Sequence, residues 1–211
     1  MKVHGVPQSP FVRKVCIALL EKGIPYELTP LVPGVHPQGK MPVLADGEVS
    51  VPDSSVICAY LDRKQPSRPL YPDPPAELAR ALYLEEYADA HMSEGMGAIV
   101  LERFVKPNLL GQPTDEARLA QLVESARQRW FGEPRSAGGT PVPSVMDYLE
   151  AQLPSDRDSM LPRFGIADIA LGAHFGWLDA AGFSIDAQRW PRTARYREAL
   201  EKRPSFQIYQ N

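Results

Sequence analysis

The sequence predicts two unlike units, an α/β half followed by an all-α half. Three observations carry this reading. Strand-like patterns occur only before residue 52, interleaved with a helical one. Pro66, Pro69, Pro72, Pro74 and Pro75 then crowd one short stretch, which reads as a stiff linker. Beyond it no convincing strand pattern remains, and the periodic segments have helical spacing. The units are expected at residues 1–64 and 76–211, joined by residues 65–75. At 211 residues, 44% of them apolar, the chain can build two small cores.

Residues 2–6 read as a first strand, stopped by Pro7. Pro10 suits a first helical turn, whose N–H groups lack intrahelical partners in any case. Across residues 11–22, Val12, Val15, Cys16, Ala18, Leu19 and Leu20 recur at helical spacing, and Gly23 supplies a C-cap. Residues 26–32 read as a second strand, so the chain opens β-α-β with the right-handed crossover of a parallel pair. Residues 42–45 and 48–51 follow, joined by Asp46-Gly47, a two-residue hairpin signal. Ser54 or Ser55 then opens a helix through Val56, Ile57, Tyr60 and Leu61. The order β-α-β, then β-β-α, is that of a thioredoxin-like domain. In the second half, residues 76–104 form one or two long helices. Thr114 caps a helix that opens on Asp115 and Glu116 and runs to about residue 131. Residues 133–143 are a Pro/Gly-rich break, and residues 145–153, 166–181 and 193–202 complete a helical bundle.

Composition removes several function classes. Lys and Arg total 23 against 26 Asp and Glu, a net charge of −3, which lacks the basic excess of a sequence-blind nucleic-acid binder. Cys16 and Cys58 each sit in an apolar helical pattern and read as reduced core thiols, so a cytoplasmic setting is expected. The N-terminus runs straight into a strand, unlike a signal peptide, and no apolar run approaches the roughly 18 residues of a membrane helix. His4, His36 and His174 group with no cysteines or carboxylates at ligand spacing, so no metal is expected.

Three ordered motifs in the first half carry chemistry. Ser9-Pro10-Phe11-Val12-Arg13-Lys14-Val15 follows the first strand. His36-Pro37-Gln38-Gly39-Lys40-Met41-Pro42-Val43-Leu44 leads into the third. Pro52-Asp53-Ser54-Ser55-Val56-Ile57 opens the second helix. Taken singly, these are a helix start, a turn before a strand and an N-cap. In this order they resemble the cytosolic glutathione transferase superfamily, in its serine-type, phi- or zeta-like and bacterial forms, along nearly the whole chain. In the helical half, Gly165-Ile166-Ala167-Asp168 resembles that family's capping segment, with Gly in place of Ser or Thr.

The resemblance implies glutathione as co-substrate and a small electrophile as its partner. It makes Ser9 the catalytic candidate, a hydroxyl that donates to the glutathione sulfur. That thiol has an unperturbed pKa near ~8.5, so the hydrogen bond and the positive end of the helix favour its thiolate. By the same resemblance Pro42 is cis and Val43 offers its backbone to the cysteinyl unit. Ser54 at a helix N-terminus takes the γ-glutamyl carboxylate, Asp53 the ammonium, and Lys40, beside Met41, the glycyl carboxylate. Phe11, Tyr87, His91, Met92 and Met96 are the candidates for the electrophile pocket, although a stripe at that spacing is also what a bundle core looks like. A C2 homodimer is implied as well.

The chain departs from the family pattern at residues 31–39, too short and too rich in Pro and Gly for the usual second helix. Two rival readings therefore stand beside a transferase: a non-catalytic glutathione-binding or regulatory protein, and a glutathione-dependent isomerase.

Overall fold

The computed structural model describes residues 1–207. Its first half is a four-stranded sheet in the order β2-β1-β3-β4, built from β1 (Lys2–His4), β2 (Glu27–Thr29), β3 (Val43–Asp46) and β4 (Val49–Pro52). β1 and β2 are parallel, joined by α1 (Pro10–Lys22), while β3 runs antiparallel to β1 and β4. α1 starts at Pro10 as expected and ends at Gly23, whose φ of 68° lets the chain turn back onto the Leu19 and Leu20 carbonyls. α2 (Ser54–Lys64) closes the unit.

The β3–β4 hairpin is shifted by one residue from the sequence expectation. Asp46 pairs with Val49, so the turn is Gly47-Glu48, and Gly47 takes the positive φ of 62° that the first position requires. The slip matters because side chains alternate faces along a strand.

The second half is helical: α3 (Pro75–Glu86), α4 (Met96–Val100), α5 (Lys106–Leu109), α6 (Glu116–Phe131), α7 (Val145–Gln152), α8 (Ile166–Ala181), α9 (Pro191–Glu201) and α10 (Pro204–Gln207). Asp115, not Thr114, caps α6, accepting from the Arg118 N–H at 3.0 Å. The expected break at 133–143 holds a small hairpin, β5 (Arg135–Ala137) and β6 (Thr140–Val142), turned by Gly138 and Gly139, both at positive φ. The residues between α3 and α5 do not form one regular helix. Wider π-helical turns occupy Tyr87–Met92 and Leu101–Val105, and Gly95 at φ 81° breaks the run between them.

Two cores meet along α1. Its Val12, Val15 and Leu19 are fully buried, and their cluster takes in Ile166, Ile169 and Ala173 of α8. Burying side chains of this size contributes about 1.5–3 kcal/mol each, so the seam itself is stabilising. The second core lies inside the helices, around Leu84, Trp130, Leu149 and Leu171.

Charges are buried at the seam too. Lys14 of α1 is wholly enclosed, donating to Glu85 at 3.1 Å, to Ser55 at 2.9 Å and to Asp89. Burial opposes its charge, but the carboxylates of Asp89 and Glu85 outweigh that and hold the ammonium above the usual lysine range.

Gly165, where the sequence leads one to look for Ser or Thr, has a packing reason. A Cβ there would lie 2.4 Å from the Leu70 carbonyl, which accepts the Ile166 N–H at 2.9 Å. Asp168 still caps the helix, its buried carboxylate accepting from Gly165 N–H, Met160 N–H and the Tyr196 hydroxyl.

Candidate functional site

Strand register assembles the motifs. His4 at the end of β1 faces Val43 at the start of β3, which faces Pro52 at the end of β4. The segments beyond these residues, carrying Ser9, Met41-Pro42 and Asp53-Ser54, therefore leave the sheet at one edge.

Ser9 is the N-cap of α1, yet its hydroxyl makes no capping hydrogen bond. An N-cap serine ordinarily accepts from the first turn; this one is left to face a cavity of about 740 Å³. The loop that carries it is held from behind. Ser9 N–H donates to the Val6 carbonyl at 3.1 Å, and Arg13 Nε donates to the Pro7 carbonyl at 2.8 Å. A hydroxyl so placed, beside the positive end of α1, can donate to an anion in the cavity.

One wall of the cavity comes from the sheet edge: Val6, Gln8, Ser9, Phe11, Lys40 and Met41. Residues 30–42, which deliver Lys40 and Met41, form turns and bends and no helix, so the expected shortening is real. His36 does locally what Asn would do in the motif it departs from: its Nδ1 accepts the Gln38 N–H at 2.9 Å and tightens the turn. The Met41–Pro42 bond is cis. Val43 is fully buried within the ladder and does not line the cavity.

Asp53 and Ser54 do not line this cavity; they sit past the end of β4 at the start of α2. Asp53 is the N-cap, its carboxylate accepting from Ser55 N–H at 2.9 Å and Val56 N–H at 3.1 Å. It is held at φ 75°, the only non-glycine with positive φ among the described residues. Such a conformation costs on the order of 1–3 kcal/mol and recurs at ligand-holding positions.

The other wall is helical and was not read from the sequence. Gly97, Val100, Leu101, Phe104, Val105 and Asn108 form one stripe along α4, the second π-helical turn and α5. Trp177 of α8 completes it, its ring edge-on to Phe11 at 6.3 Å. Of the five pocket candidates, Phe11 alone lines the cavity. Met92 and Met96 are fully buried in the helical core. Tyr87 is stacked on Tyr148 at 4.4 Å and tilted against His91 at 4.9 Å, away from Ser9's cavity. Burial and the Arg129 and Arg135 charges lower the His91 pKa, so it is a poor proton donor at neutral pH. The physical reason is that α4 and the turn after it have two faces: Met96 and Ile99 enter the helical core, while Gly97, Val100 and Leu101 meet the cavity. The available signal was the apolar run Val100, Leu101, Phe104 and Val105, which continues the helical spacing past Met96.

Comparison with known proteins adds to this geometry. Residues 3–69 match the family model "Glutathione S-transferase, N-terminal domain", and residues 117–199 match "Glutathione S-transferase, C-terminal domain". The chain is 38% identical to the uncharacterized GST-like protein YibF of Escherichia coli, over 98% of this chain and 96% of that one. It is 37% identical to glutathione S-transferase Z2 of Arabidopsis thaliana, over 98% and 89%. Among solved structures, a glutathione S-transferase from Methylobacterium radiotolerans in complex with glutathione sulfonate superposes with a TM-score of 0.69. It is 31% identical and covers 98% of this chain and 92% of that chain.

Proposed function

The chain belongs to the cytosolic glutathione S-transferase superfamily, and from that premise we propose that it is an active transferase which ionises glutathione at Ser9. The observation that carries this is the Ser9 hydroxyl, left without a capping bond at the mouth of α1 and facing the cavity. In this reading the thiol gives its proton to solvent and the Ser9 O–H donates to the sulfur anion. The sulfur then forms a bond to an electrophilic carbon with its own electron pair, and a leaving group departs with the pair of the broken bond. Met41, Pro42 and Val43 offer the edge along which the peptide lies, and Lys40 meets its glycyl carboxylate. The free N–H groups at the start of α2, with Ser54 and Asp53, meet the γ-glutamyl end.

Purified protein retained on immobilised glutathione, with turnover of 1-chloro-2,4-dinitrobenzene, tests the reading. Ser9→Ala is expected to lose turnover by 10²-fold or less, since a hydrogen bond to a charged group contributes about 1.5–3 kcal/mol. Full activity in that variant defeats the role given to Ser9.

The helix-free segment 30–42 favours a second reading, a glutathione-binding protein without turnover. Retention without turnover would select it. The same proposal divides the chain at residues 1–64, 65–75 and 76–211, a reading supported by α2 ending at Lys64 and α3 starting at Pro75. It pairs two copies as a homodimer. Val56 on α2 and Leu82 and Tyr83 on α3, each 47–54% exposed, are apolar surface available for that contact. Light scattering reads the mass. The setting is the reducing cytoplasm, in keeping with two buried thiols, Cys16 and Cys58.

A further inference from the structure

Gly172 and Gly176 lie one turn apart on the same face of α8, and neither is at positive φ. Glycine inside a helix is less favourable than alanine, so each needs another reason. A Cβ on Gly172 would lie 2.4 Å from the Phe206 ring, a packing contact within the helical half. Gly176 faces the other half. A Cβ there would lie 1.8 Å from Nη1 of Arg13 on α1 and 3.1 Å from its Cζ. The bare turn of α8 is the floor on which the Arg13 guanidinium rests.

Arg13 also holds the loop that delivers Ser9. Its Nε donates to the Pro7 carbonyl at 2.8 Å, and its backbone N–H donates to the Ser9 carbonyl at 2.9 Å. One residue thus fixes the loop at both ends. The Nε–H lies in the rigid plane of the guanidinium, so its direction follows from where the far end of the fork sits. Gly176 meets that far end, and so the second half of the chain aims a hydrogen bond that shapes the first. A guanidinium pushed off Gly176 has room to move. Arg13 lines a groove of about 570 Å³ with Asp179, Arg197 and Glu201, and swinging into it leaves Pro7 unheld while α1 stays folded.

We infer that Arg13 is a positioning residue for Ser9, and that Gly176 is the slot across the seam that keeps Arg13 in place. The Ser9 hydroxyl has no capping bond to fix it, so its aim depends on the loop. This rests on the transferase reading for what Ser9 does. It goes beyond that reading by assigning the placement of Ser9 to a pair of residues that spans the two halves.

The test uses the full chain and compares wild type with Gly176→Ala, Arg13→Met, Arg13→Lys and the double variant Arg13→Met with Gly176→Ala. The readout is the apparent pKa of the bound glutathione thiol, followed by the ultraviolet absorbance of its thiolate. Gly176→Ala and Arg13→Met are each expected to raise it by about 0.5 unit or more, roughly a threefold shift from thiolate toward thiol. Arg13→Lys should match Arg13→Met, because an ammonium keeps the charge and loses the planar donor. The double variant should match Arg13→Met alone, since Gly176→Ala then has no guanidinium to displace. The Tm of Gly176→Ala should stay within about 4 °C of wild type, alanine being the better helix former. An unmoved pKa in Gly176→Ala overturns the inference, as does a lysine variant that behaves as wild type. So does an effect of Gly176→Ala that adds in full to that of Arg13→Met, or a larger fall in its Tm, since the glycine then serves only the packing of α8.

Failure of the transferase reading is a separate result. A wild type that binds no glutathione defeats that reading alone. The loop is then read directly by hydrogen exchange at the Ser9 amide, whose N–H donates to the Val6 carbonyl at 3.1 Å. Exchange faster by about fivefold or more in both Gly176→Ala and Arg13→Met, and no faster still in the double variant, supports the pair. Wild-type exchange in Gly176→Ala ends it.

Discussion

The two walls of the cavity are made by different means. The sheet-edge wall takes Ser9, Lys40 and Met41 from two separate loops and brings them together through strand register. The helical wall takes its residues from one stripe of consecutive turns, with Trp177 added from α8. The first presents hydrogen-bonding groups at fixed points, and the second presents apolar surface whose shape depends on side-chain volume. Recognition of a peptide needs the former; tolerance of varied acceptors needs the latter.

The largest expected effect asks whether the walls are held to each other. Lys14→Met leaves Glu85 and Asp89 buried beside an apolar side chain. Breaking a buried ion pair by removing one partner costs about 3–5 kcal/mol, so urea denaturation of this variant should show a loss of that order. A loss under 1 kcal/mol would mean that the seam is held by apolar packing alone.

The next effect isolates the polar wall. Ser9→Ala should raise the apparent pKa of the bound glutathione thiol by about 1–2 units, the equivalent of one hydrogen bond to a charged group. The pH profile of kcat/KM reads this, and Tm should hardly change because the hydroxyl caps nothing.

A third effect tests what backs Phe11. His174 lies behind that ring at 5.4 Å, fully buried, its Nδ1–H donating to the Ala170 carbonyl at 2.8 Å. Its Nε2 has no hydrogen-bond partner and faces Asp89 at 3.9 Å. Burial brings its pKa down to about 4, against about 6.5 for an unfolded chain. The folded state thus binds fewer protons in this window, and stability present above pH 6.5 is lost as pH falls toward 4. Between pH 7 and pH 5 the loss should be about 2 kcal/mol, and a His174→Gln variant should lack that part of the acid dependence. Denaturation midpoints at the two pH values measure it.

The smallest effect belongs to the apolar wall. Phe104→Ala removes a side chain that is 41% exposed, so stability should change by about 1 kcal/mol or less. The KM for the acceptor should rise severalfold with the KM for glutathione unmoved. Equal changes in both would erase the distinction between the walls.

The same distinction explains what could be read from the chain. The succession of strands and helices in the first half, α1 with its Pro10 start and Gly23 stop, and the span of α8 all follow from residues whose local preferences agree with the fold. That Ser9, Lys40 and Met41 come together was legible because the segments that carry them adjoin strand ends that the sequence marks. The helical wall was not. Met92, Met96, Leu101 and Phe104 are equally apolar, and only the facing of the folded helical run, which turns Met92 and Met96 to the core and Leu101 and Phe104 to the cavity, tells them apart. The hairpin at 135–142 was missed because its strands are only three residues long and almost wholly exposed, so no apolar alternation marks them.

Lys14 has one more consequence. Its ammonium is tied at once to α2, α3 and the turn that follows α3, so the halves cannot part without stranding one cation and two anions in an oily gap. The helix-free strap at 30–42, which carries Lys40 and Met41 to the cavity, supplies no partner to that cluster. The halves are thus pinned to each other by charge, while the loop at the cavity's rim carries only turns and bends.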